Sequence, residues 1–254
     1  MAAASEDGLE SWARSWPWLV SAALLLAAAV AAAGAVYRHW LPCRGSMLVG
    51  TPLDRSYDST FSDACLQRMD SGLALPPSVA ADAPVAAGTS AAGLAASALA
   101  WLVLVLALSW PLRTRLVAAV PSLLVLATAA QAGWTGVGQD SGLSLLWWGS
   151  ADLAAAAVAV ALFVWHPELG GRRFCLLMVV LWGLTSFSFL QQAGDFSVMM
   201  AWSTTNWDVP PGTGTLTVAR IAAAGVLTAV APFWLRDTPP VRPVGTVPLR
   251  AAGH

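Results

Sequence analysis

The chain contains no lysine: every one of its 13 basic side chains other than histidine is arginine. Charge of either sign is scarce, at 11% of residues, against roughly 25% in soluble domains. With 14 acidic residues and a net charge of −1, no basic groove can form, and nucleic-acid binding is excluded. Histidine and cysteine number three each. There is no H-E-x-x-H, no G-x-S-x-G, no phosphate loop and no C-x-x-C-H haem attachment, so no catalytic set, metal centre or cofactor is expected. His39 and His166 fall near opposite faces, which removes a transmembrane haem site as well. The missing lysine, with abundant alanine and glycine, fits a GC-rich genome, actinobacterial in character. Selection for phosphate contacts fits less well, because the arginines are scattered.

What remains is apolar. The composition is 57% hydrophobic and the mean hydropathy is +0.65. Runs of spanning length occur near 17–37, 91–110, 113–133, 146–166, 173–192 and 214–235. Each is close to the ~20 residues that carry a helix across a ~30 Å hydrocarbon core. Strands are excluded as spans, because unpaired edges are not tolerated in lipid and the runs lack barrel alternation. The expected fold is therefore all-α: a polytopic integral membrane helical bundle with six transmembrane helices. Many runs are rich in alanine, which permits close helix approach but is only weakly apolar, so some helices need neighbours to insert. The first run is longer than a secretory h-region and follows a weakly acidic flank, so an uncleaved helix is expected despite the small-residue AAAGA near its end.

Arginine placement predicts the orientation. Arg113 and Arg115 lie between spans two and three, Arg172 and Arg173 between four and five, and Arg236, Arg242 and Arg250 in the tail. The alternate links hold Asp140, Asp195 and Asp208 and no basic residue. Short basic loops stay inside, so both termini are predicted to be cytoplasmic. The layout is then a cytoplasmic N-terminus at 1–16, a first helix at 17–37, an outer loop at 38–90, a five-helix bundle at 91–235 and a cytoplasmic tail at 236–254. A plasma-membrane location follows. Most tryptophans sit at predicted span ends, as an interfacial belt requires; Trp101 and Trp182 lie within spans and are expected to pack.

The outer loop carries Cys43 and Cys65, on the oxidising side in this topology. Their disulfide would close a loop of about 20 residues and contribute about 3 kcal/mol on the chain-entropy argument. The stretch STFSDACLQRM predicts a short helix capped by Ser62 or Asp63. Tyr57, Asp58, Asp63 and Arg68 are either a recognition surface or the solvated side of this cap. A Pro/Ala-rich stretch follows and resembles a tether, which would let the first helix pack apart from the other five.

Away from the span ends, charge within the spans is confined to Asp152 and Arg220. An arginine at the centre of a membrane helix costs about 2.5–3.5 kcal/mol on insertion scales, so it usually meets a partner or water. Both residues are one to two turns from the outer start of their spans. They can form a structural pair, snorkel to the interface, or build a polar pocket with Gln131, Gln191 and Gln192. Gln131-Ala132-Gly133 and Gln192-Ala193-Gly194 also hint at a parallel duplication of two hairpins. Cys175 is expected to be a small packing residue.

Four functional classes remain, signalling or sensing being the least supported. An accessory or scaffold subunit of a membrane complex, contacting lipids and another membrane protein, fits the few intramembrane charges and the pinned outer cap. A small transporter or channel would use the Asp152, Arg220 and glutamine set. An outward-facing enzyme would need Asp58 or Asp63 at that level, which nothing in the spacing requires.

Overall fold

Stretches of helix-favouring Ala and Leu dominate the chain, and in the computed structural model they become helices of span length. The structure describes residues 3–46, 49, 51–53, 60–70, 84–134, 142–203 and 209–235. The elements are α1 (Ala3–Trp40), α2 (Asp63–Asp70), α3 (Pro84–Ala107), α4 (Leu112–Trp134), α5 (Gly142–Trp165), α6 (Gly170–Leu184), α7 (Phe189–Trp202) and α8 (Thr215–Leu235). Among the described residues, four segments are long and apolar enough to cross a membrane: Ser15–Cys43, Gly88–Ala107, Leu112–Gly133 and Thr215–Leu235. The pair Gly170–Phe187 and Phe189–Trp202 makes a fifth only as one broken span, bent by 72°. In α5 the apolar segment Gly149–Trp165 is shorter than a span. The chain is thus an all-α, multi-pass membrane bundle.

The bundle is arranged around α1. It packs between α3 and α8; α4 and then α5 extend the α3 side, and α6 closes against α8 and α3. The first helix is therefore the hub, not an outlier on a tether. Its composition explains this. Ala28, Ala32 and Ala35 recur at helical spacing with Leu25, and all four are fully buried. Glycines on the partners let the backbones close in: a Cβ at Gly93 would lie 3.3 Å from the Ala28 carbonyl oxygen, and one at Gly225 would lie 2.9 Å from Leu26 Cγ. Small residues at such crossings are the membrane substitute for a hydrophobic driving force.

Helix α8 runs antiparallel to α1, and α4 to α3. Trp40 Nε1 donates to the Thr213 carbonyl (2.9 Å), while Gly225 faces Leu26, which sets α8 against α1. Ser122 Oγ donates to the Ala98 carbonyl (3.0 Å) and Trp101 Nε1 to the Ala118 carbonyl (2.6 Å), which sets α4 against α3. At one end of the bundle the Leu108–Leu112 turn meets the turn after α5, where Thr114 Oγ1 and His166 Nε2 are 3.1 Å apart and Trp110 stacks on His166. At the other end, the cap and the segment preceding α8 meet: Val209 N donates to the Met69 carbonyl at 3.2 Å.

The Cys43–Cys65 disulfide is formed. It joins the 3-10 turn Leu41–Cys43, which extends α1, to α2. Ser62, not Asp63, caps α2, since the Cys65 amide donates to Ser62 Oγ at 3.2 Å. Two packing expectations divide. Trp101 is fully buried, as expected for a packing residue; Trp182 is exposed, because Leu177, Val180, Leu181 and Leu184 form the buried stripe of α6 and position 182 lies off it. Cys175 is also exposed and is a free thiol, so it does not pack in the core.

Candidate functional site

The fifth apolar run, expected as one helix over 173–192, breaks at the 3-10 turn Thr185–Phe187. No proline lies at the break, and Gly183 stands two residues before it. Three of the four residues 185–188 are hydroxylated, and such side chains compete for helix carbonyls. Thr185 Oγ1 donates to the Leu181 carbonyl (3.2 Å) and Ser186 Oγ to the Trp182 carbonyl (2.9 Å). Ser188 then turns extended, with φ −79° and ψ 169°, and α7 starts in a new direction.

A helix start leaves its first amides without partners. Here Asp152, on α5, supplies the missing acceptor. Its Oδ2 accepts from the Leu190 amide (3.0 Å), and its Oδ1 faces the Ser188 hydroxyl. That hydroxyl sits between Asp152 and the Thr185 carbonyl, its single proton serving either. A carboxylate at a helix N-terminus is favoured both by these amides and by the helix dipole.

Arg220 does not pair with Asp152. Its Nη1 donates to the carbonyl (2.9 Å) and to Oε1 (2.8 Å) of Gln191. The equal depth inferred from chain position was not enough, because α7 lies between the two charges in bonding terms and takes one from each side. Gln192 turns inward, where its Nε2 donates to the Phe187 carbonyl at 2.7 Å. Gln131 is half-buried on α4 and takes part in none of the Asp152 or Arg220 bonds.

A second helix start is served by another acid. Asp195, expected in an outer link, lies within α7 and is only 1% exposed. Its Oδ2 accepts from the Gly214 amide (3.1 Å), the Thr217 amide (3.0 Å) and Thr217 Oγ1 (3.0 Å). It therefore caps α8 as Asp152 caps α7. Its Oδ1 has no hydrogen-bond partner. Ser188-x-x-Gln191 has capping-box spacing inside a long apolar run and signals a start for α7, although Ser188 makes no side-chain cap bond and Gln191 turns to Arg220.

Helix α7 is thus a crossbar. Its first turn is held by α5, and its middle is held by the start of α8. The proposed hairpin duplication finds no counterpart in this geometry, since α4 runs unbroken through Gln131-Ala132-Gly133 whereas the second copy follows a break. Of the outer-loop candidates, Asp63 is exposed at the start of α2 and Arg68 is half-buried on it; Tyr57 and Asp58 lie outside the described residues.

Fold and site together define a polytopic membrane protein in which Asp152 and Asp195 cap helix starts and Arg220 bonds to Gln191. No protein-family model, curated protein or solved structure matches the chain.

Proposed function

We propose that this chain is an accessory or scaffold subunit of a larger membrane complex. The observation that carries this reading is the use made of the intramembrane polar groups. Asp152, Asp195 and Arg220 each bond to an adjacent helix, and each makes at least one of these bonds to a backbone group, so they hold the fold together and converge on no common point for a substrate. In this reading α5 and the broken α6–α7 pair complete six crossings. Both termini are cytoplasmic, the disulfide faces the oxidising side of a bacterial plasma membrane, and the partners are lipids and another membrane protein. Asp63 and Arg68, with Tyr57 and Asp58, would belong to the face offered to that partner. The test is mild-detergent purification of the full chain from its native membrane. A second membrane protein at fixed stoichiometry is expected, and its loss on exchanging the α2 surface (Asp63→Arg) would locate the contact. A stable lone monomer under the same mild extraction would overturn the proposal.

One observation favours a second reading, a small transporter or channel. Discontinuous membrane helices commonly surround ion and substrate sites, and Asp195 Oδ1 is a buried carboxylate oxygen, unmatched among the described residues, on the helix that follows such a break. Flux in proteoliposomes that disappears in Asp195→Asn, while folding is kept, would select this reading over the subunit role.

A further inference from the structure

At the disulfide-capped end, a cleft of about 280 Å³ lies between α1 and the start of α8. Ala33, Val36, Tyr37 and Trp40 line one wall, Val218 contributes to the other, and Arg44 stands at the end. Tyr37 and Leu41 are exposed at its mouth, so the cleft opens sideways, toward the space that lipid occupies around a bundle. From Ala33 to the end of α1 is about 10 Å at 1.5 Å per residue, roughly a third of a ~30 Å hydrocarbon core. The cleft therefore reaches from the headgroup level into the acyl region.

The walls are chemically quiet. The Trp40 indole is already bonded to the Thr213 carbonyl, and Thr215 Oγ1 to the Gly212 carbonyl at 2.6 Å. Arg44 is the one charged group of the lining, and it is rigidly mounted. It caps the 3-10 turn Leu41–Cys43 through its amide, and its neighbour Cys43 is tied to Cys65. On the other side, the chain reaches α8 through Gly212 and Gly214, whose φ values of 90° and 102° suit only glycine and draw the backbone back from the opening.

We infer that this cleft is a specific phospholipid site, in which an acyl chain lies along Ala33, Val36 and Val218 and the lipid phosphate meets the Arg44 guanidinium. A planar guanidinium above an apolar slot matches an amphiphile with a phosphate head, since arginine pairs bidentately with phosphate. A partner helix fits poorly. It is about 10–12 Å across with its side chains, too wide for a cleft at the lower limit of small-ligand sites, and it would need an acid of its own to match Arg44.

The test is lipid titration of the purified, delipidated full-length protein by native mass spectrometry. The probes are dioleoyl phosphatidylglycerol and dioleoylglycerol, which share their chains and differ in the phosphate. One saturable phosphatidylglycerol adduct is expected, binding about tenfold more tightly than dioleoylglycerol. Arg44→Gln should abolish that difference. Ala33→Leu and Val218→Phe, which fill the slot from opposite walls, should each remove saturable binding of both lipids. Intact disulfide mass and an unchanged melting temperature identify the variants that are folded, and two filling variants guard against the failure of one. Equal binding of the two lipids, or an Arg44→Gln protein that keeps the preference, would refute the site. So would a photo-crosslinker at Tyr37 that captures a polypeptide in native membranes instead of lipid.

Discussion

Replacing Asp195 with alanine removes the acceptor that serves the start of α8. Three donors lose their partner: the amides of Gly214 and Thr217 and the Thr217 hydroxyl. The hydroxyl can turn to a carbonyl of its own helix, but the two amides cannot, and Gly214 and Thr217 are both buried from water. An unsatisfied buried donor costs about 1–3 kcal/mol, and partial relaxation lowers the sum, so roughly 3 kcal/mol is expected, or about 150-fold in the ratio of folded to unfolded protein. Asp195→Asn should be far milder. Its carbonyl can take the position of Oδ2, and its NH₂ then occupies the place of Oδ1, which already lacks a partner. What remains is the lost attraction of a charge for the helix dipole, about 1 kcal/mol. Unfolding in mixed detergent, followed by tryptophan fluorescence, measures both. Thr217→Val should cost less in the Asp195→Ala background than in the native one, because the bond it removes is already gone. An alanine variant within about 0.5 kcal/mol of the native protein, or an asparagine variant as unstable as the alanine one, would refute the capping argument.

Asp152→Ala and Arg220→Ala should each lower folded yield, and their effects should add to within about 0.5 kcal/mol, since the two side chains share no bond; strong coupling in the cycle would restore the ion pair. Gly225→Ala should destabilise by about 1–3 kcal/mol through overpacking against Leu26. Gly34→Ala, with nothing within 4 Å of the new methyl, should be neutral or stabilising in the same detergent melt, and equal effects would contradict the α1–α8 register. Cys43→Ala should lower the melting temperature more than Cys175→Ala, because only the former opens a closed loop; the reverse order would show that the cap adds nothing to the fold.

The sequence by itself determined the features that depend on composition and near neighbours. Apolar runs of spanning length must become helices in lipid, even with Pro17, Pro121 and Pro232 inside three of them, so α1, α3, α4 and α8 were legible along with the all-α membrane class. Cys43 and Cys65 were the two cysteines of one loop, and Ser62 preceded an evident helical stretch, so the disulfide and the cap helix were legible too. What only the tertiary structure decided depends on groups distant in the chain. The hydroxyl-rich segment 185–188 can continue a helix or end one, and it ends one here because Asp152, 36 residues before Ser188, supplies the acceptor that a new helix start requires. Arg220 and Asp152 were equally deep by counting, but counting gives depth and not direction around a helix, so their partners on α7 were invisible. The central place of α1 was likewise hidden, because an alanine stripe has value only when glycines such as Gly93 and Gly225 face it from other helices. Local chemistry set where helices form, and long-range satisfaction of buried polar groups set where one of them had to break.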